Sequence, residues 1–149
     1  MKKKEDFRVR VALVIIKDDN ILLIQHKKNK KKYWVLPGGG LDYCETLEKA
    51  AVRELKEELN ISVKVGKLIF IVESISNDRS RHILNLIYTG RIIKGRIKLA
   101  DEPRLNDVKF MPIDKIDKIK LYPVIGNYLK KAYKNNFNSG VKTLTPEWI

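Results

Sequence analysis

A chain of 149 residues, 44% hydrophobic and 33% charged, has room for one packed core that buries about 70% of the unfolded surface, and lies outside the disordered and fibrous compositions. Its one cysteine, Cys44, excludes an intrachain disulfide and any multi-cysteine zinc or iron–sulfur site, and its longest purely apolar run, residues 11–16, is too short to cross a bilayer. The excess of 31 Lys+Arg over 18 Asp+Glu, net +13, favours polyanionic partners without choosing among nucleotides, RNA and acidic surfaces.

In chain order, residues 8–16 read as a mostly buried strand, 18–20 as a turn, and 21–25 as the returning strand of a hairpin. Residues 27–32, five lysines in six positions, read as a loop. Residues 33–36 form a short strand that Pro37 and Gly38-Gly39-Gly40 stop. Helical periodicity runs over 47–59, with Thr46 as N-cap and Asn60 in the left-handed position at the end. Two long strand segments, 62–76 and 82–93, flank a polar turn at 77–79; a loop over 100–106 leads to a strand at 108–111, and a helix follows Pro123 to about Tyr133. The tail from Asn135 is polar and reads as loosely held. These elements predict an α+β fold, a mixed sheet between helices, as a single domain over 1–149; with no secretory pattern at the start, a cytoplasmic protein with no membrane partner is expected.

Charge is unevenly placed. Residues 39–61 carry six acids against three bases, net −3, and the remaining chain carries +16. On a helical wheel of about 100° per residue, Leu47, Ala51, Leu55 and Leu59 make an apolar stripe, Lys49, Arg53 and Lys56 lie opposite, and Glu54, Glu57 and Glu58 crowd the edge of the stripe. Three carboxylates at i, i+3 and i+4 repel one another, more so when partly buried, so a cation is expected between them; oxygen-only ligands select Mg²⁺ or Mn²⁺.

Gly39, five residues, Glu45, seven residues and then Arg53-Glu54-Leu55-Lys56-Glu57-Glu58-Leu59-Asn60-Ile61 resemble the Nudix box, G-x5-E-x7-R-E-U-x-E-E-x-G-U, where U is a bulky apolar residue. The box spans residues 39–61 and departs only at Asn60, where the family has Gly; outside it the resemblance covers most of the chain, through the entering hairpin, Leu36-Pro37-Gly38-Gly39-Gly40 and the strand-rich half that follows. It implies hydrolysis of a nucleoside diphosphate linked to a group X, by attack of water on phosphorus. It further implies metal ligation by Glu54, Glu57, Glu58 and the Gly38 carbonyl, with Gly39, Glu45 and Arg53 holding helix and loop in register. Glu54 is one candidate for the general base; Asp101, Glu102 or Asp107 from the later loop is the alternative. Arg81 and His82 begin a strand resembling one that contacts phosphate or base in MutT-like members, and Lys27 and Lys28 open the lysine run, which either holds a phosphate tail or is solvated. The resemblance implies a small nucleotide substrate, a (deoxy)nucleoside triphosphate or an ADP-ribose-like diphosphate. Residues 76–79, Ser-Asn-Asp-Arg, lack the Pro associated with ADP-ribose enzymes, which favours triphosphates. The alternatives are an RNA 5′-end pyrophosphohydrolase and a non-catalytic sensor, and a homodimer is left open. Neither G-x-G-x-x-G nor G-x-x-x-x-G-K-[ST] occurs, which disfavours dinucleotide redox and P-loop chemistry.

Overall fold

The computed structural model describes residues 6–148. Its strands are β1 (Asp6–Lys17), β2 (Asn20–Lys28), β3 (Lys31–Val35), β4 (Gly38–Gly40), β5 (Ser62–Ile75), β6 (Arg81–Lys94), β7 (Leu105–Pro112) and β8 (Lys142–Leu144). The helices are α1 (Leu47–Leu59) and α2 (Gly126–Lys134), with a 3₁₀ segment at Ile113–Lys118. The sheet order is β3-β2-β1-β6-β5-β8, with β4 added to β1 and β7 to β2.

β1 organises this arrangement. It runs parallel to β6 from Asp6↔Arg81 to Ile15↔Gly90, meets β2 only at its end, and gives its other edge over residues 10–12 to β4. β1 is packed on both faces as well as paired on both edges, so residues 11–15 are buried without alternation. Period two then divides them. Val11, Leu13 and Ile15 pack with Ala51, Leu55 and Leu59 of α1, whereas Ala12 and Val14 pack with Trp34, Val72, Ile87, Ile125 and Leu129, the last from α2. The two helices therefore cover opposite faces of a mixed sheet, the α+β architecture expected from the element order. Truncating fully buried Leu55 or Leu59 to Ala is worth about 2–5 kcal/mol of stability.

Three expectations are revised. Residues 27–32 are not a loop: Lys27 pairs with Lys32 and Lys28 with Lys31, around a tight turn in which Asn29 and Lys30 both take positive φ. The glycines after Pro37 do not merely stop a strand; they form β4 against β1, and Gly38 is required there because a Cβ on it would lie 2.0 Å from the Val11 carbonyl oxygen. The tail is not loose over 142–144, where β8 joins β5 in parallel and Leu144 is buried against Val72.

Candidate active site

α1 is held at both ends. The Thr46 side chain accepts from the Lys49 amide at 3.2 Å, and Asn60, at φ 58° and ψ 30°, donates its amide to Lys56 O at 3.0 Å. The helix buries Glu54 and Glu58 along with its leucines. Arg53, which the wheel sets opposite the stripe, reaches back across the loop between β4 and α1. Its Nε and Nη2 donate to the two Glu45 carboxylate oxygens at 2.7 and 2.9 Å, Nη2 also donates to Gly40 O at 3.0 Å, and Nη1 donates to Glu54 at 2.8 Å and Glu57 at 3.3 Å. The bond from Arg53 holds the Glu45 carboxyl at about 2, and Glu45 in turn raises Arg53 above the ordinary guanidinium value. Gly39 leaves the space that the Glu54 carboxylate fills, since a Cβ there would lie 2.3 Å from Glu54 Cδ.

Glu58, 2% exposed, accepts from the Gly38 amide at 3.3 Å. Burial first, and then the charge of Glu54, push its carboxyl up to about 7, against the pull of Arg104 and Arg10. Arg10 is half-buried on β1, and no hydrogen bond from its side chain to a described residue is found; burial lowers its pKa while Glu58 and Glu54 raise it. Burial, followed by Arg10 and Arg104, lowers His26 to about 4, leaving a neutral imidazole in the same neighbourhood.

The fold thus gathers Gly38, Gly39, Glu45, Arg53, Glu54, Glu57 and Glu58. The loop after β6 docks on the end of α1, with Lys98 and Ala100 amides donating to Leu59 O and Glu58 O, and it brings Arg104 to Glu58. On that loop Glu102 is paired with Arg104 at 3.4 Å and Asp101 is exposed; Asp107 is not on the loop but in β7, paired with Gln25, where it accepts from the Val108 amide and lies 3.6 Å from Lys109. Lys27 and Lys28 are exposed on the hairpin. Arg81 and His82 stand apart: they pair with Asp6 and Phe7, four residues before β4 meets β1, or about 13 Å along the strand. There Arg81 lies over the Trp148 ring and His82 sits 3.4 Å from Glu73. The sequence reading missed Arg10 and Arg104. A charge at Arg10 immediately before the apolar run was the available signal; Arg104 had none.

Among the described residues no three His, Cys, Asp or Glu side chains are arranged to hold a metal ion, because Glu54 and Glu57 are bonded to Arg53 and Glu58 to Gly38. The donor chemistry nevertheless fits a hard divalent cation: the groups are carboxylate and carbonyl oxygens, and Glu58 is a buried carboxylate pushed up by burial and by the charge of Glu54.

A NUDIX domain model matches residues 6–132, and the chain belongs to that family. It is 34% identical over 112 residues to an ADP-ribose pyrophosphatase of Methanocaldococcus jannaschii, covering 74% of this chain and 65% of that protein. It is 31% identical over 88 residues to diphosphoinositol polyphosphate phosphohydrolase 3-alpha of Mus musculus, covering 57% of this chain and 52% of that one. The chain thus spans roughly half to two thirds of these relatives' length. Among solved structures, a MutT NUDIX hydrolase from Burkholderia pseudomallei aligns with TM-score 0.68 at 29% identity, over 74% of this chain and 86% of that one.

Proposed function

We propose that this chain hydrolyses the pyrophosphate bond of a small nucleotide, a nucleoside diphosphate linked to a group X, with Mg²⁺ or Mn²⁺ as cofactor. The observation that carries the reading is the gathering of Glu54, Glu57 and Glu58 at the Gly38-Gly39 strand, with Glu58 buried on the Gly38 amide and the charges of Arg10 and Arg104 acting on it. Glu54, Glu57, Glu58 and the Gly38 carbonyl would hold the cation, the two carboxylates on Arg53 exchanging that partner for it. When bound, the cation supplies neutralisation of phosphate oxygens and acidifies the attacking water. Arg10 and Arg104 bind phosphate from the other side. Arg53 stays anchored on Glu45 and keeps the helix in register with the glycine strand. Glu54, beside Gly39, takes the proton of the attacking water; Asp101, Glu102 and Asp107 are the alternative, and the ion pairs of Glu102 with Arg104 and of Asp107 with Lys109 count against them.

The archaeal relative moves the preferred substrate from triphosphates toward ADP-ribose-like diphosphates. The +16 outside residues 39–61 supports RNA 5′ ends as the second reading. Among the described residues no helix is long and apolar enough to cross a membrane, in keeping with a cytoplasmic nucleotide enzyme. A phosphate-release screen over nucleoside triphosphates, ADP-ribose, diphosphoinositol polyphosphates and 5′-triphosphorylated RNA, with and without Mg²⁺, tests the assignment. No metal-dependent turnover of any of them would leave a non-catalytic sensor.

A further inference from the structure

The tip of the β2–β3 hairpin is built against its own stability. Residues 27–32 carry five lysines and no acid, and all six are exposed. Lys27 pairs directly with Lys32 and Lys28 with Lys31, which sets the Cβ atoms of like-charged side chains about 5 Å apart in two successive rows. The turn between them takes φ 51° at Asn29 and φ 64° at Lys30. Such a turn favours Gly at its second position, and a lysine there adds backbone strain along with the fifth positive charge. Elsewhere cations are matched: Arg8 with Asp6, Arg104 with Glu102, Lys109 with Asp107 and Lys130 with Asp117. Among the described residues no acid forms an ion pair with a lysine of the tip. Repelling rows and a strained turn persist where something outside the fold supplies the missing negative charge.

Shape narrows the partner. Pairing with β7 ends at His26↔Leu105, so beyond that row the tip is a two-stranded ribbon. Period two puts Lys27 and Lys32 on the side of Gln25 and Trp34, and Lys28 and Lys31 on the side of His26 and Tyr33. Trp34 belongs to the core under α2 and Tyr33 packs against the core under α1, so the two lysine pairs face opposite sides of the sheet. Lys120 adds an exposed cation at the outer edge of β3, where its carbonyl accepts from the Trp34 amide at 2.8 Å. A rigid duplex or a flat bilayer meets one side of such a ribbon and leaves the other bare. The tip also has no apolar or aromatic side chain to enter a membrane interface. A flexible polyanion passes around both sides.

We propose that the tip of the β2–β3 hairpin binds the phosphodiester backbone of single-stranded nucleic acid, which bends over the turn and engages both lysine pairs. The strand is a partner and not a substrate. Its binding needs no 5′ phosphate and none of the α1 carboxylates, so it goes beyond the hydrolase reading and survives that reading's failure.

The test is fluorescence anisotropy of the whole chain with a dye-labelled RNA of about 20 nucleotides that lacks a 5′ phosphate, beside a DNA duplex of the same length and co-sedimentation with phosphatidylserine vesicles. With about four lysines engaged, log Kd should rise with log salt at a slope of about 3, so Kd weakens roughly 50-fold between about 50 and 200 mM KCl. A duplex touching one pair should show a slope nearer to about 2. Lys27→Gln with Lys32→Gln, and Lys28→Gln with Lys31→Gln, should each lower the single-strand slope by about 1.4, and all four together should leave little binding. The control removes the same charge elsewhere: Lys115, Lys131, Lys134 and Lys142, all exposed, changed to Gln should alter Kd by about twofold or less. Lys30→Gly separates structure from binding, because it relieves the turn: melting temperature should hold or rise while RNA affinity falls about two- to fivefold. The tip substitutions relieve repulsion, so the variants should stay folded, and their melting temperatures check it. An equal loss in the control, a slope untouched by the tip variants, an effect confined to one lysine pair, or duplex or vesicles bound as tightly as the single strand at equal salt overturns the proposal.

Discussion

Replacing Glu58 by Gln should stabilise the metal-free protein at alkaline pH and leave it unchanged in acid. Gln is the same size, is neutral, and can still accept from the Gly38 amide. In the folded chain Glu58 titrates at about 7, and in the unfolded chain near the ordinary value of about 4.3. Below about pH 4.3 both states hold the proton, and wild type and variant are equivalent at this position. As pH rises from there through about 7, the unfolded chain ionises first and the wild type loses stability; the variant has nothing to ionise. The gap, at about 1.4 kcal/mol per pH unit, is of the order of 3 kcal/mol, undiminished by solvent because the residue is 2% exposed. For a chain of this size that corresponds to roughly 5–10 °C in Tm. Differential scanning fluorimetry in EDTA at pH 4.5 and pH 8 reads it directly, and added Mg²⁺ should then raise the wild type more than the variant, whose turnover should fall by orders of magnitude. A shift equal at the two pH values, or a variant less stable at pH 8, would refute the account of Glu58 as a carboxylate pushed up by burial and by the charge of Glu54.

The Glu58→Gln background also exposes His26, which titrates at about 4 in the fold against about 6.5 unfolded; stability should drop by roughly 3 kcal/mol as pH falls from 6.5 to 4, and adding His26→Gln should flatten that decline in the same melts. Asn60→Gly should raise stability by up to about 1 kcal/mol in urea titration, because the position is left-handed and exposed and Gly carries no Cβ penalty there. Gly39→Ala should push the Glu54 carboxylate from its place and weaken the apparent Mg²⁺ affinity about tenfold or more, read from Mg²⁺ titrations of turnover. For a small nucleotide, kcat/KM should fall only shallowly between about 50 and 300 mM KCl, and neutralising Lys30, Lys31 and Lys32 should change it a few-fold; a steep slope on RNA 5′ ends that these substitutions flatten would replace the small-nucleotide reading.

What the sequence alone determined is what local chemistry encodes. Thr46, the 3–4 spacing of Leu47, Ala51, Leu55 and Leu59, and the left-handed tolerance of Asn60 bound α1 to the residue, because a cap, a stripe and a stop act within a few positions of one another. The same stretch carries the acids, so the core of the candidate site was legible with the helix. The lysine run was misjudged because composition suggests a solvated loop while the left-handed Asn29-Lys30 turn builds a hairpin. β4 and β8 were invisible for another reason: three residues have no period of their own, and each exists only because a strand far along the chain offers an open edge. Tertiary structure alone placed Arg10 and Arg104 beside Glu58, and Asn85 between Arg10 and Val72. Those neighbours come from the register of β1 against β6 and β6 against β5, set by which face of each strand the core requires, and a slip of one residue would turn Arg10, Asn85 and Ser74 to the other face of the sheet.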